Sequence, residues 1–231
     1  MTLRPPASAW DAVLFDFNGV IGVQPEAQDW DRLAQLAGWP PERVPQFMQA
    51  FWARRGGYDA GVITDAQFWS SGLVMRTDRT LADLLPDLIA TDTAMWTTVD
   101  PAVIYLLRAA HRAGTRLLLL SNAPHCVADA IDVAEWSCSL MSRTVYSARI
   151  GANKPSTAAY EAALAAAGWP DPGRTLFVDD RAENTTAAAR LGLQTLHYTG
   201  NLGALAHLLP QLHPASAVQQ PATTSTSSAA A

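Results

Sequence analysis

The chain has 231 residues, 49% of them apolar, and a formal net charge of −5. That length suits one α/β domain with a smaller insert, or two small domains, and the acidic balance argues against a general nucleic-acid surface. No apolar run is long enough to span a bilayer, and Pro5-Pro6 leads into the first strand without the basic start and apolar stretch of a signal peptide, so a cytoplasmic protein is expected.

The first strand is Val13-Leu14-Phe15, closing on Asp16 and followed by Phe17-Asn18-Gly19-Val20. From about residue 26 to residue 90 the pattern is helical alone. One helix runs from Glu26 through Trp30 and Leu33 to Gly38. A second follows Pro40-Pro41 and is expected to stop at Gly56-Gly57. Thr64-Asp65 reads as the cap of a third, carrying Phe68, Trp69 and Leu73, and a fourth covers Leu81 to Ile89. From Asp100-Pro101 onward, strands and helices alternate. Helix 101–113 precedes a strand at 116–120, whose Leu117-Leu118-Leu119-Leu120 run suits a strand buried on both faces. A helix at about 124–136, a weaker strand near 144–147, helix 156–167, strand 175–178, helix 182–191 and a last strand at about 193–198 complete the pattern. The expected fold is α/β: a doubly wound, Rossmann-like parallel sheet with an all-helical insert after strand one. Beyond about residue 214 the Ala, Ser, Thr, Pro and Gln composition predicts a disordered tail.

In open parallel sheets, ligands bind beyond the C-terminal strand ends. Three strands end in reactive groups: Asp16, Ser121-Asn122 and Asp179-Asp180. Gly19 opens a turn in which backbone N–H groups can approach an anion closely. Lys154, the single lysine among 16 basic residues, stands in Gly151-Ala152-Asn153-Lys154-Pro155 just before a helix. A carboxylate nucleophile, a hydroxyl, an ammonium and a Mg²⁺-binding acid pair are what phosphoryl transfer through an aspartyl-phosphate requires.

On these residues the chain resembles the haloacid dehalogenase (HAD) superfamily of hydrolases, over about 10–22 and 95–200. The resemblance implies a core of residues 1–22 and 91–213, with residues 23–90 as a helical cap. It implies Asp16 as nucleophile, Ser121 as phosphate-binding hydroxyl, Asn122 and Gly19 as substrate contacts, and Lys154 as charge stabiliser. Asp179 and Asp180 match the acidic Mg²⁺ motif, joined by Asp16 and the Asn18 carbonyl, and Asn184 matches the asparagine behind it. The segment Tyr58-Asp59-Ala60-Gly61-Val62-Ile63-Thr64 with Phe68-Trp69 is similar to the cap of the branch holding sugar-phosphate phosphatases and the phosphatase domain of soluble epoxide hydrolase. Asn18 departs from the pattern. Most phosphatases of the family carry an aspartic acid there that protonates the leaving alkoxide and then activates water. An amide transfers no proton, and losing such a group costs about 10²–10⁴-fold in rate.

The function expected first is therefore Mg²⁺-dependent hydrolysis of a small phosphorylated metabolite, weakened or narrowed by Asn18. The alternatives are a 2-haloacid dehalogenase using Asp16, since halide leaves without a proton, and an impaired protein that binds a phosphorylated ligand. The pattern leaves the substrate and the oligomeric state unspecified. Trp30, Trp39, Trp52 and Trp69 are expected to pack among the cap helices, Arg54-Arg55 to be solvated, and His125 to be a plain helix-start residue. Cys126 and Cys138 fit no zinc or redox spacing, and Cys126 reads as a small buried hydrophobe in a helix.

Overall fold

The structure, a computed structural model, describes residues 10–75 and 78–209. The expected tail at 214–231 lies outside them. In chain order the elements are β1 (Ala12–Phe15), α1 (Ala27–Leu36), α2 (Val44–Asp59), α3 (Asp65–Ser70), α4 (Leu81–Trp96) and α5 (Pro101–Arg112). Then come β2 (Leu117–Ser121), α6 (His125–Asp132), α7 (Glu135–Leu140), β3 (Met141–Tyr146), α8 (Ser147–Ile150) and α9 (Thr157–Ala166). β4 (Thr175–Asp179), α10 (Ala182–Arg190), β5 (Gln194–His197) and α11 (Leu202–Leu208) follow.

The strands form one sheet in the order β3-β2-β1-β4-β5, and every pairing is parallel. The chain winds outward from β1 to β3, then crosses back to lay β4 on the other side of β1. That reversal places the switch point, where open α/β sheets bind ligands, at the ends of β1 and β4. Alternate side chains feed opposite layers. Val13, Phe15, Leu117, Leu119, Leu176 and Val178 join one core; Ala12, Leu14, Leu118, Leu120 and Phe177 join the other. The helical insert packs into the first of these cores: Trp30, Phe47, Phe51, Phe68, Trp69 and Trp96 are continuous with Phe17 and Ile21.

Several expected boundaries move, each for a local reason. α2 does not stop at Gly56-Gly57 but runs on to Asp59. Two glycines cost about 1 kcal/mol each in a helix, but the face bearing Phe47, Phe51, Arg55 and Tyr58 is buried and carries the helix through. α4 passes Ile89 and continues to Trp96, so a division at residue 90 falls inside a helix. Its apolar stripe is interrupted by Asp92, which is fully buried and therefore belongs to the packed face. The expected helix at 124–136 is two helices, α6 and α7, and β3 begins earlier than expected, at Met141. Helix α11 was not anticipated from the sequence.

Candidate active site

Asp16 follows β1 and Asp179 closes β4, neighbouring strands in which Phe15 pairs with Val178. The Asp16 N–H donates to the Val178 carbonyl at 2.8 Å, which fixes the backbone beneath its carboxylate. Between the two acids stands Lys154. Its Nζ lies 2.7 Å from Asp16 Oδ1 and 2.7 Å from Asp179 Oδ2, and the residue is 4% exposed. Burial disfavours its charge, but Asp16 and Asp179 outweigh that and hold its pKa above the ordinary value. Burial pushes Asp16 up to about 7, with Lys154 opposing and Asp179 and Asp180 adding to the rise.

The two consecutive acids differ. Asp179 is fully buried and spoken for on both oxygens. Oδ1 accepts from the Arg181 N–H at 2.8 Å and from Asn184 Nδ2 at 3.0 Å; Oδ2 accepts from Lys154 and from Asn184 Nδ2 at 3.1 Å. Asp180 faces the cavity, and Gln24 Nε2 donates to its Oδ2 at 3.4 Å. Burial, then Asp179, raises its pKa. Carboxylate oxygens of Asp16, Asp179 and Asp180 all lie within 4.8 Å of one another. Three carboxylates facing one ammonium leave an excess of negative charge, and hard oxygen donors suit Mg²⁺, so these residues fit that ion.

The remaining expected residues separate by role. Asn122 clasps the Lys154 backbone: its Nδ2 donates to the Lys154 carbonyl at 3.0 Å, and its Oδ1 accepts the Lys154 N–H at 2.8 Å. Its amide oxygen and one amide N–H thus hold the lysine loop, and the residue also lines the cavity. Gly19 departs from expectation. Its N–H donates to the Gly22 carbonyl at 2.8 Å, so it is not offered to an anion. Ser121 is buried at the end of β2 and is not among the residues lining the cavity. Asn18 lines the cavity, and its buried Oδ1 meets no donor among the described residues.

That cavity, about 120 Å³, has Asp16, Lys154 and Asp180 on its core side and Trp52, Arg55 and Asp59 on the α2 side. A wider outer part, about 580 Å³, extends past Gly56, Asn153 and Glu183. Arg55 is the main correction to the sequence reading. It is buried rather than solvated, with Nε 2.6 Å from Asp59 Oδ1 and NH1 3.1 Å from both oxygens of Asp92. The i,i+4 spacing of Arg55 and Asp59 was the available signal. Trp30 and Trp69 are buried as expected, while Trp52 is 51% exposed at the cavity wall and packs on Trp96 with ring centroids 5.6 Å apart. His125 opens α6 and is exposed; Cys126 is half-buried with its Sγ 3.2 Å from the Tyr58 hydroxyl.

Residues 10–192 match the family model of haloacid dehalogenase-like hydrolases. No curated protein matches the chain. Among solved structures, it is similar to a HAD family enzyme of Bacteroides thetaiotaomicron in complex with magnesium and inorganic phosphate. The TM-score is 0.60 at 20% identity, covering 82% of this chain and 94% of that one. An L-2-haloacid dehalogenase matches with TM-score 0.61 at 17% identity, over 85% and 96% of the two chains. A HAD phosphatase from Thermococcus onnurineus matches with TM-score 0.56 at 20% identity, over 82% and 86%.

Proposed function

The chain belongs to the haloacid dehalogenase-like hydrolases, and from that premise we propose that it is a Mg²⁺-dependent phosphatase of a small phosphorylated metabolite, working through an aspartyl-phosphate. The observation that carries this reading is the cluster of Asp16, Asp179 and Asp180 around the Lys154 ammonium at the sheet's switch point. A haloacid carries no positive charge to balance three carboxylates, whereas a divalent cation held among them would, and it would in turn attract a phosphoryl group.

Asp16, Asp180 and the Asn18 carbonyl would hold the ion, with Asp179 behind them, its oxygens committed to Lys154, Asn184 and the Arg181 N–H. Bound there, Mg²⁺ would offset the charge of the transferring phosphoryl oxygens and favour the ionised form of Asp16. Lys154 holds Asp16 Oδ1, which leaves Oδ2 to attack phosphorus. As that bond forms, the bond from phosphorus to the leaving oxygen breaks. Lys154 neutralises charge on the transferring group, and Asn122 keeps the lysine loop in place. Water then attacks phosphorus and releases Asp16.

One observation favours a second reading, a dehalogenase using the same Asp16. Asn18 cannot donate a proton, and halide needs none. Assay of the wild type and Asp16→Ala against sugar phosphates, nucleotides, acyl phosphates and 2-haloacids, with Mg²⁺ and with a chelator, separates the two. Mg²⁺-dependent phosphate release that is lost in Asp16→Ala supports the phosphatase. Halide release without phosphate release contradicts it.

A further inference from the structure

An alkyl phosphatase with an amide at residue 18 lacks its usual proton donor. We propose that Asp59, at the end of α2, is the acid–base catalytic residue of this site and supplies the proton transfers that Asn18 cannot; the proposal rests on the phosphatase reading.

Four observations support it. Asp59 lines the same cavity as Asp16, Asn18 and Lys154, from the cap side. Its Oδ1 is tied to Arg55 at 2.6 Å, while its side chain keeps 14% exposure, so a carboxyl oxygen is left to meet a ligand. Its position is set from both sides. Arg55 is anchored on Asp92, which also accepts from Trp96 Nε1 at 2.8 Å. The backbone is pinned to the core: Ser147 Oγ donates to the Asp59 carbonyl, and Asn153 Nδ2 donates to the Gly56 carbonyl at 2.7 Å. Asn153 is the neighbour of Lys154, so one loop carries the lysine and holds the end of the helix that carries Asp59.

Charge arithmetic favours a proton on the group of Asp59, Arg55 and Asp92. Asp59 and Asp92 share one guanidinium, which leaves one surplus negative charge in a buried group. Asp92 has Arg55 NH1 on both oxygens and the Trp96 indole; Asp59 accepts from Arg55 Nε. Burial raises the pKa of both carboxyls, and of the two it is Asp59 that lines the cavity and can exchange a proton with a ligand. Burial pushes Asp59 up to about 6, against the pull of Arg55 and with a smaller push from Asp92, a poise suited to proton transfer near neutrality.

In the first step Asp16 bonds to phosphorus, the bond from phosphorus to the ester oxygen breaks, and the Asp59 proton passes to that oxygen to give the alcohol. In the second, the Asp59 carboxylate takes a proton from water as its oxygen bonds to phosphorus. The Asp16–phosphorus bond breaks, and inorganic phosphate and the Asp16 carboxylate are regenerated.

The test compares an alkyl phosphate with acetyl phosphate, whose leaving group needs little protonation, in Asp59→Asn and in the double variant Asp59→Asn, Asn18→Asp. Asp59→Asn is expected to lower kcat/KM, which reports the steps up to loss of the leaving group, by about 10²-fold or more for the alkyl phosphate and by less than about tenfold for acetyl phosphate, with kcat falling on both through the shared water step, and Asn18→Asp to restore alkyl turnover in that background. Equal losses in kcat/KM on both substrates, or no recovery in the double variant, overturn the role of Asp59. Should Asp59→Asn not fold, Asp59→Ser is read the same way, selective loss supporting and equal loss opposing. A wild type that turns over neither phosphate removes the phosphatase reading and this role with it. Equal losses in kcat/KM in a working phosphatase remove the role alone.

Discussion

Asp180 fills the space that a side chain at residue 19 would need. A Cβ on Gly19 would lie 2.2 Å from Asp180 Oδ2 and 2.6 Å from its Cγ, and Gly19 has φ +79°. Glycine is therefore required twice, for a left-handed backbone and for the close approach of a carboxylate. Gly19→Ala is expected to cost about 1–2 kcal/mol from the backbone alone and to displace Asp180. Chemical denaturation and calorimetric Mg²⁺ titration should show lower stability together with weakened binding. Unchanged Mg²⁺ affinity would mean that Asp180 does not hold the ion.

Arg55 is the counter-ion of two buried acids. Arg55→Met leaves Asp59 and Asp92 without compensation, and breaking a buried pair in this way costs about 3–5 kcal/mol. The sign with pH follows from the raised carboxyls. An acid whose folded pKa exceeds its unfolded value binds more protons when folded, so its contribution to stability falls as pH rises through that window. For Asp59 the window runs from 3.8 to about 6. Loss of Arg55 extends it upward for both acids. Urea denaturation should show the deficit of Arg55→Met growing between pH 5 and pH 8. The same deficit at both values contradicts the pairing.

Asn122 acts through Lys154. Asn122→Ala removes both hydrogen bonds to the lysine backbone and is expected to cost about 1–3 kcal/mol. The lysine loop then loses its register against Asp16, so kcat for acetyl phosphate should fall while KM changes less. A rise in KM with kcat unchanged would assign Asn122 to substrate binding instead.

Asn18-Gly19 is a dipeptide prone to deamidation, because glycine offers little cover to the nitrogen that attacks the amide. Here that N–H is bonded to the Gly22 carbonyl at 2.8 Å and sits in a fixed turn. Peptide mass analysis of aged samples should show slower conversion of Asn18 in the folded chain than in the urea-unfolded chain. Equal rates contradict this protection.

The sheet and the strand-end groups were legible because buried parallel strands write continuous apolar runs, and the reactive residues follow those runs directly. Asp16, Lys154 and the acid pair could be placed at one edge for that reason. The division of labour between Asp179 and Asp180 could not. Adjacent residues at a strand end point to opposite sides, and only the positions of Lys154 and Asn184 reveal which acid is consumed internally. Arg55 was expected in solvent for a related cause, and Asp92 drew no notice. A charged residue in a helix normally marks the solvent face, and two charges that bury each other across α2 and α4 carry no signature in either helix alone. The expected end of α4 at Ile89 likewise falls short of Asp92, which is fully buried in the packed face. Asp59 entered the sequence reading only as part of a quoted segment, since its chemistry depends on a cavity wall formed by distant residues.

The phosphatase reading requires that Asp16 becomes phosphorylated during turnover. Acetyl phosphate and Mg²⁺ are mixed with the wild type and with Asp59→Asn, quenched in acid, and the peptide containing Asp16 is analysed by mass spectrometry. A phosphoryl adduct on Asp16 is expected, at higher steady-state occupancy in Asp59→Asn because water attack is slowed more than transfer from an acyl phosphate. Phosphate release with no adduct on Asp16, or turnover that survives in Asp16→Ala, would contradict it.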